Sequence, residues 1–257
     1  MVRAQLGTHG MTSTNKLVLI DADIVYHRAA FSGETKFDFG DAEIRTADAS
    51  DVADIFHNIV ISILGRCESN RFLLCWSGDR NFRYDLIESY KANRANVRRP
   101  VVDKDIFKYL KLRYHSAQVH NMEADDVMGV LSGPETIIAS DDKDLLTIPG
   151  LHFKPRKPEL GIIEMSAEES DKLWLKQTLM GDAADGYKGI PGVGQKKAEK
   201  ILEKDGYTWN TVALAYEMAG LSQEEALLNA RLARILRPGE WDYTNNEPKL
   251  WSPEKRS

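Results

Sequence analysis

Long apolar segments are missing from this sequence, although 42% of its 257 residues are hydrophobic. No window approaches the roughly 20 apolar residues that a helix needs to cross a bilayer, so we expect no membrane partner. Cysteine is scarce as well, because Cys67 and Cys75 stand near no second pair and in no metal-ligand spacing. Cys75 lies in an apolar run, which predicts a buried, reduced thiol in a cytosolic protein. The six histidines show no zinc-protease spacing.

A net positive charge is also absent. The formal net charge is −5, which taken alone argues against a nucleic-acid partner, but the distribution of charge matters more than its sum. Residues 80–113 carry ten Lys or Arg against four Asp or Glu. A second basic group follows at Lys188, Lys196, Lys197, Lys200 and Lys204. Basic surfaces in an acidic chain imply that the acids are concentrated elsewhere, and a metal-binding cleft is one such place.

Apolar patterns in the first two thirds of the chain alternate between strands and helices. Apolar runs predict strands at residues 17–20, 71–76, 117–120 and 136–140, and helical spacing predicts helices at residues 50–66 and 103–114. This alternation is typical of a parallel α/β sheet. We therefore expect an α/β domain over residues 16–165, preceded by a leader or tag at residues 1–15.

Helices alone are predicted from Ser166 onwards. Ser166 and Ser222 are each followed three residues later by Glu, which is the spacing of a capping box at a helix start. Both precede runs with helical apolar spacing, so we expect a smaller, all-helical domain over residues 166–237. Residues 238–257 are polar apart from two tryptophans, and we expect a tail that packs back on the surface or frays.

Acidic residues stand where the predicted strands end and where one predicted helix begins. They are Asp21, Asp79 and Asp142 after strands, and Glu123, Asp125 and Asp126 at the start of a helix. We expect Asn121 to be the N-cap of that helix. Any one of these acids would be interpreted as a helix cap or a solvated loop residue. In an open parallel sheet, however, ligands bind at the carboxyl ends of the strands, so the joint placement predicts one shared site.

Such a group of carboxylates has a definite chemical consequence. Adjacent like charges repel and would be driven to protonate unless cations lie between them. Oxygen ligands without nearby His or Cys select hard divalent ions such as Mg²⁺ or Mn²⁺. Two such ions about 4 Å apart are the usual apparatus for in-line hydrolysis of a phosphodiester.

The most specific pattern is a glycine-rich turn between two predicted helices. Residues 189–194 read Gly-Ile-Pro-Gly-Val-Gly, two aspartates precede them, and Lys196 and Lys197 follow at once. A turn of small residues before a helix start presents backbone N–H groups to a phosphate. A plain turn between helices would explain neither the aspartates nor the lysines.

Taken together, these segments resemble the 5′-nuclease superfamily, which includes phage 5′–3′ exonucleases, the 5′-nuclease domain of bacterial DNA polymerase I and the flap endonucleases. The matching segments are the first strand with Asp21, Asp79 after the second strand, Tyr-Lys-Ala-Asn-Arg at 90–94, Glu-Ala-Asp-Asp at 123–126, Ser-Asp-Asp-Lys-Asp at 140–144, and residues 181–194. They cover residues 17–204, and the segment 231–237 with its tail resembles the phage branch. The resemblance implies a PIN-like parallel sheet flanked by helices, followed by a smaller helical domain with a helix–hairpin–helix (helix–three-turn–helix) motif.

The resemblance also implies roles for individual residues. One metal would be bound or supported by Asp21, Asp79, Glu123, Asp125 and Asp126, and a second by Asp142, Asp144, Asp182 and Asp185. Catalytic contacts with the scissile phosphate are implied for Lys91 and Arg94, three apart on a predicted helix. Contacts with DNA are implied for Arg28, Arg83, Tyr90, Gly192, Gly194, Lys196 and Lys197.

The activity implied is that of a metal-dependent 5′–3′ DNA exonuclease or structure-specific flap endonuclease in phage DNA replication or repair. It would use two Mg²⁺ or Mn²⁺ ions and a metal-activated water as nucleophile. The resemblance further implies a K⁺ ion on the carbonyls of the glycine turn. The substrates implied are duplex DNA with a free or flapped 5′ end and RNA–DNA hybrid. We expect a cytoplasmic monomer.

Some positions depart from the pattern of the superfamily. Asp23 stands where Ser or Thr is usual, and is expected to be an extra ligand or merely a cap. His27 replaces a base-stacking aromatic residue, and Gly186 replaces a frequent Asn. The segment between Arg94 and the helix at residue 103 is short, so the helical arch through which a 5′ end threads would be reduced. This departure favours exonuclease action on duplex ends.

Two other functions fit parts of the sequence. A haloacid-dehalogenase-type phosphatase would use Asp21 as nucleophile and Asp23 as acid, but its last acidic motif should follow a strand, and here the preceding residues predict a helix. It would also leave the acids at 123–126 and the glycine turn unexplained. A non-catalytic DNA-binding protein would have no reason to concentrate acids where they repel phosphate.

Overall fold

The structure is a computed structural model and describes residues 15–102 and 104–253. Its strands are β1 Leu17–Asp21, β2 Glu34–Asp38, β3 Glu43–Ala47, β4 Phe72–Trp76, β5 Ser116–Gln118, β6 Thr136–Ala139, β7 Gly150–Phe153, β8 Ile162–Met165, β9 Gly181–Asp182, β10 Tyr187–Lys188, β11 Trp241–Asp242 and β12 Glu247–Pro248. Its α-helices are α1 Ala22–Ser32, α2 Ala49–Arg66, α3 Arg83–Leu86, α4 Lys104–Arg113, α5 Ala124–Leu131, α6 Ala167–Met180, α7 Gln195–Asp205, α8 Trp209–Met218 and α9 Gln223–Ala233. The leader predicted at residues 1–15 lies outside the described residues except for Asn15.

A six-stranded sheet in the order β5-β4-β1-β6-β7-β8 forms the centre of the molecule. The first five strands are parallel, and β8 pairs antiparallel with β7 at the edge. The prediction of a parallel α/β sheet is therefore confirmed. Because β4 and β6 lie on opposite sides of β1, the strand order reverses at β1, and this reversal opens a crevice beyond the carboxyl ends of the strands.

Both faces of the sheet are covered by helices, which is why its central strands are apolar throughout. On one face, α1, α2 and α4 pack with buried residues such as Phe56, Leu110 and Trp76. The apolar spacing that predicted α2 is the face that it buries. On the other face, α5 packs together with the chain that follows α9, burying Met128, Leu236 and Trp241.

A separate core joins the helices after residue 166. Trp174, Leu179, Leu202, Val212 and Tyr216 are buried between α6, α7, α8 and α9. Both predicted capping boxes are present, at the starts of α6 and α9. The expectation of helices alone was wrong, because the short hairpin β9–β10 interrupts them where both predicted aspartates lie. Among the described residues, no helix combines the length and the apolar character needed to span a bilayer.

Other local predictions were wrong in instructive ways. Asn121 is not a helix cap: its φ is +67°, and Glu123 caps α5 in a reciprocal box with Asp126. Helix α1 and the hairpin β2–β3 were not predicted, because α1 buries mainly small residues such as Ala29 and Ala30, and the hairpin stays exposed. The chain after residue 237 forms the β11–β12 hairpin and packs back on the molecule.

Candidate active site

A cavity of about 670 Å³ lies at the carboxyl ends of β1 and β6, where the strand order reverses. Eight carboxylates line it: Asp21, Asp23, Glu123, Asp125, Asp142, Asp144, Asp182 and Asp185. They come from the β1–α1 junction, the start of α5, the loop after β6 and the β9–β10 hairpin. Four separate segments thus bring their acids to one place. For Asp21 and Asp142, a shared site was predicted from their positions at the ends of strands.

Asp21 is the most enclosed of these acids, with 2% of its surface exposed. It ends β1 and caps α1, because its Oδ1 accepts the backbone N–H of Ile24 at 3.1 Å. Its Oδ2 accepts the Ser140 hydroxyl at 2.8 Å. Burial is the main reason why the pKa of Asp21 is raised to about 7 in spite of these two hydrogen bonds, and the charges of Asp23 and Asp142 contribute in the same direction. Burial therefore disfavours the charged form of this side chain.

The same electrostatic condition extends to other acids of the cavity. Burial raises the pKa of Asp125 well above its usual value, and the charges of Asp21 and Asp142 add to this effect. Burial also raises the pKa of Asp144 to about 6, with Asp142 contributing in the same direction. Neighbouring carboxylates that resist ionisation together would all gain from a cation between them.

Hydrogen bonds hold the loop after β6 in place. The backbone N–H of Asp142 donates to Ser140 Oγ at 3.1 Å, and Asp142 Oδ1 accepts the backbone N–H of Asp144 at 2.8 Å. The ammonium of Lys154 donates to the backbone carbonyl of Asp142. Ser140 also bonds Asp21, so it links the ends of two neighbouring strands.

One wall of the cavity is a network of alternating charges. Lys91 pairs with Glu123, and its Nζ lies 3.7 Å from Asp185 Oδ2. Arg94 Nη2 lies 2.5 Å from Asp185 Oδ1. The Tyr90 hydroxyl oxygen lies 3.0 Å from a carboxylate oxygen of Glu123 and of Asp185, and its single hydrogen can be donated to either. The two basic side chains therefore reach the cavity.

The sequence predicted that Lys91 and Arg94 lie on one helix. In the structure they do not share an α-helix. Lys91 has a φ of +53° and precedes a 3₁₀ helix at Ala92–Asn96. Its backbone N–H donates to the carbonyl of Asp185 at 2.8 Å, which ties this turn to the β9–β10 hairpin. Gly186, the departure noted above, lies so close to this turn that a Cβ would stand 2.6 Å from the Ser89 carbonyl oxygen.

Two predicted metal-binding acids lie outside the cavity. The Asp79 side chain is 76% exposed and pairs with His120, with Oδ1 2.5 Å from Nδ1. Asp126 is fully buried and makes two hydrogen bonds to Arg83, at 2.7 and 2.9 Å. Their predicted places in the metal site were wrong: a turn beyond β4 directs Asp79 to solvent, and Asp126 faces the protein interior.

Two predicted DNA contacts also differ from the prediction, although Arg83 is among the residues that line the cavity. Arg83 is 3% exposed and donates to the carbonyls of Leu232 and Arg234, at 3.1 and 2.7 Å. Its guanidinium is thus fully used inside the protein, so the prediction of a DNA contact was wrong. Arg28 lies outside the main cavity, in a small cleft beside Asp141 and Pro155. Tyr90 is buried and contacts the carboxylates described above.

The glycine turn forms a second open cleft of about 600 Å³. Gly192 has a φ of +71°, and Gly194 precedes the first turn of α7 with no side-chain cap. Lys196 and Lys197 are exposed in that first turn. Tyr187 lines both this cleft and the carboxylate cavity, so the two lie side by side. The predicted phosphate-binding residues of this segment therefore share one accessible surface.

Basic side chains lie among the carboxylates of the cavity. Over residues 15–102 and 104–253, no three His, Cys, Asp or Glu side chains are arranged so as to hold a metal ion as they stand. In the structure, the ammonium of Lys91 and the guanidinium of Arg94 provide the positive charge beside Glu123 and Asp185.

Comparison with known proteins agrees with this architecture. The family described as "5'-3' exonuclease, N-terminal resolvase-like domain" matches residues 16–164, more than half of the chain. The chain belongs to this 5′–3′ exonuclease family. An exodeoxyribonuclease of Enterobacteria phage T3 is 30% identical over 224 residues, which are 70% of this chain and 73% of that protein. An exonuclease of Escherichia phage T7 is 29% identical over 225 residues, with the same coverage.

Longer proteins of the 5′–3′ exonuclease family are similar over part of their length. DNA polymerase I of Bacillus caldotenax is 28% identical over 253 residues, which are 86% of this chain but 28% of the polymerase.

Among solved structures, the T5 D15 protein co-crystallised with metal ions has a TM-score of 0.61 at 17% identity, over 84% of this chain and 88% of that one. A T5 D15 flap endonuclease complex with DNA and metal ions has a TM-score of 0.62 at the same identity and coverage. These two likenesses show the fold.

Family membership identifies the chain as a nuclease that hydrolyses phosphodiester bonds. The alternatives of a phosphatase and of a non-catalytic binder were therefore wrong. The acids at 182 and 185, which imitate the last phosphatase motif, follow a helix and lie in a hairpin.

For this 5′–3′ exonuclease, the sequence left Asp23 open between an extra ligand and a cap, and in the structure Asp21 is the N-cap of α1. Asp23 lines the cavity and its Oδ2 accepts the backbone N–H of Ser77 at 3.0 Å, so its carboxylate faces the site and does not cap α1. Lys154 was not considered at all. A charged residue directly after the apolar strand β7 was the only available signal for it.

Proposed function

We propose that this chain is a divalent-metal-dependent 5′–3′ nuclease that degrades DNA from 5′ ends with two Mg²⁺ or Mn²⁺ ions. The observation that supports this proposal most directly is the convergence of eight carboxylates on one cavity at the strand-order reversal. The T5 proteins of similar fold that were crystallised with metal ions and with DNA give further support. The proposal includes a monomeric, cytoplasmic enzyme.

The residues of the cavity fit hard divalent cations. Apart from the imidazole of His27, its potential ligands are oxygen atoms, most of them in carboxylates, and Mg²⁺ and Mn²⁺ prefer oxygen ligands. Burial and neighbouring carboxylates raise the pKa values of Asp21, Asp125 and Asp144, and bound cations would stabilise the charged forms of these side chains. We assign the ligands to seven acids: Asp21, Glu123, Asp125, Asp142, Asp144, Asp182 and Asp185. Bound cations would supply charge neutralisation of the phosphate and activation of a water at neutral pH.

The side chains of the chain itself have separate tasks. Lys91 and Arg94 direct positive charge into the cavity, where it would offset the charge that develops on the phosphate during hydrolysis. The Tyr90 hydroxyl holds Glu123 and Asp185 at fixed positions on the same wall. No side-chain base is required.

Binding of the duplex is assigned to the glycine turn. Its exposed backbone at Gly192 and Gly194, with Lys196 and Lys197 beyond, suits phosphates because helix N-termini attract anions. We include a K⁺ ion on the carbonyls of this turn in the proposal. The turn adjoins the cavity through Tyr187, so a bound strand would reach the carboxylates.

The substrate preference we propose is for duplex ends. The chain between Arg94 and α4 spans only residues 95–103, which leaves little length for an arch that encloses a threaded 5′ end. Val101 and Arg98 of this segment are bonded to Glu34 of β2, at 3.1 and 2.9 Å. We expect faster cleavage of recessed or blunt 5′ ends than of long flaps, and comparable rates on both would contradict this preference.

One assay tests the activity. A DNA duplex with a recessed or flapped 5′ end, and a matching RNA–DNA hybrid, are labelled separately at the 5′ and 3′ termini and incubated with Mg²⁺ or with EDTA. Metal-dependent release of short 5′-labelled products, with the 3′ label kept on a shortening strand, is the expected result. Removal of a terminal phosphate alone, or a gel shift without cutting, would refute the proposal.

A variant separates cutting from binding. Asp142→Ala removes a carboxylate of the cavity, so we expect loss of cleavage by at least about 100-fold, as for other groups that stabilise transition-state charge. Its affinity for DNA in EDTA should stay unchanged, because the glycine turn is untouched. Equal losses of binding and cleavage would indicate that the carboxylates serve the fold instead.

A further inference from the structure

A buried lysine lies behind the carboxylate cavity. Lys154 directly follows β7, and 8% of its surface is exposed. Its ammonium donates to the backbone carbonyl of Asp142. Within the part of the chain that the structure describes, Lys154 forms no ion pair with a carboxylate. A buried ammonium is costly unless it is paired or hydrogen-bonded, so the bond to the Asp142 carbonyl is the interaction that accounts for its position.

Asp142, which accepts this hydrogen bond, is fixed by hydrogen bonds at its N–H, its carbonyl and its carboxylate. The N–H of Asp142 is bonded to Ser140, its carbonyl to Lys154, and its carboxylate to the N–H of Asp144. Ser140 in turn bonds Asp21 at 2.8 Å. The Lys154 contact is the only one of these that comes from outside the two strand ends and their loop, so it fixes the loop against the next strand of the sheet.

We propose that Lys154 is a positioning residue, whose hydrogen bond to the Asp142 carbonyl sets the place of the Asp142 and Asp144 carboxylates for binding a divalent cation. This inference rests on the proposed function, in that it assumes a cation site in the cavity. Groups that orient metal ligands from outside typically change metal affinity by about 10- to 100-fold when they are removed.

The charge of Lys154 and its hydrogen bond have opposite effects on the affinity of the cavity for a cation, and this makes the inference testable. A positive charge behind the carboxylates repels an incoming cation, so its removal alone would strengthen cation binding. Loss of the hydrogen bond would free the loop and weaken binding. The sign of the change therefore tells the two effects apart.

Mn²⁺ binding to the full chain without DNA provides the test, measured by the paramagnetic resonance signal of free Mn²⁺. Lys154→Met keeps the apolar stem of the side chain as far as Cε but removes its donors and charge, and we expect at least about tenfold weaker Mn²⁺ binding. Lys154→Arg keeps an N–H donor and should remain within about threefold of the wild type. Lys157→Met is the matched control, because Lys157 is exposed three residues further on, and it should change nothing.

Each outcome has a definite meaning. Unchanged or tighter Mn²⁺ binding in Lys154→Met would overturn the proposal, as would a loss of equal size in Lys157→Met. If Lys154→Met does not fold, Lys154→Gln is measured instead. Its amide is one bond shorter, so at least about threefold weaker binding is expected, and unchanged or tighter binding would again overturn the proposal.

Failure of the proposed function would look different. A wild-type protein that binds Mn²⁺ but does not cut DNA refutes the nuclease proposal, while the comparison of Lys154 variants still stands. A wild-type protein that binds no Mn²⁺ refutes both. Active wild-type enzyme with unaltered Mn²⁺ binding in Lys154→Met refutes the positioning role alone.

Discussion

The pair of Arg83 and Asp126 connects the two halves of the molecule, and its removal should be costly. Arg83 makes two hydrogen bonds to Asp126 and one each to the carbonyls of Leu232 and Arg234, at the end of α9. Asp126 also accepts the backbone N–H of Leu236 at 3.1 Å. Arg83 is 3% exposed and Asp126 is fully buried. We predict that Arg83→Met destabilises the protein without weakening its DNA contacts.

The expected magnitude follows from what the substitution leaves behind. Removing one partner of a buried ion pair costs about 3–5 kcal/mol, because the other charge stays buried and uncompensated. Two carbonyls lose their donor as well, at about 1 kcal/mol each, which favours the upper part of that range. The loss approaches the whole stability of many domains. The double variant with Asp126→Leu should recover at least about 1 kcal/mol, since an apolar pair no longer buries a charge.

Urea unfolding followed by tryptophan fluorescence measures the effect. With an m value of about 3 kcal/mol/M, a loss of about 4 kcal/mol lowers the midpoint by about 1.3 M. Arg80→Met is the matched control, because Arg80 is half exposed and pairs with the exposed Asp85; its midpoint should hardly move. Binding of duplex DNA in EDTA, measured in water over a range of salt, should show the wild-type slope for both variants.

A different result would refute this account of Arg83. If Arg83 contacted phosphate, Arg83→Met would lower the slope of log affinity against log salt by about one and leave the urea midpoint near that of the Arg80 control. That combination would mean that the buried pair opens when DNA binds.

Two further predictions concern packing and the choice of ligands. Gly129→Ala should destabilise the protein by about 1–3 kcal/mol, because a Cβ would stand 2.0 Å from the Leu236 carbonyl oxygen. Urea unfolding measures the loss, and Gly133→Ala is the control, because a Cβ there would have nothing within 4 Å. Equal urea midpoints for the two variants would contradict the close packing at Gly129. Asp125→Ala should reduce Mg²⁺-dependent cleavage by at least about 100-fold, whereas Asp79→Ala should stay within about threefold, because Asp79 points to solvent; equal losses would place Asp79 in the site after all.

The helical region could be predicted only in part. Capping boxes depend on residues three apart in the chain, so Ser166 and Ser222 were recognisable from local spacing alone. The β9–β10 hairpin was not, because four residues in two short strands carry no periodicity. Its position against the turn at Lys91 comes from contacts between segments about 90 residues apart.

The sequence by itself determined the parallel sheet and the acids at its carboxyl edge. Apolar runs ending in Asp21 and before Asp142 were sufficient, because parallel strands that are buried on both faces must present their carboxyl ends together. The composition of the cavity, rich in oxygen ligands and almost free of imidazole, was readable in the same way.

Only the tertiary structure decided which charges face the cavity and which face the protein. Asp125 and Asp126 are adjacent, yet one lines the cavity and the other is buried against Arg83, because their directions differ by about 100° on the helix. Asp79 lies at the surface and pairs with His120, and the pairing of β6 with β7 places Lys154 beside the loop at Asp142. These outcomes depend on partners distant in the chain, whose side-chain contacts no local pattern encodes.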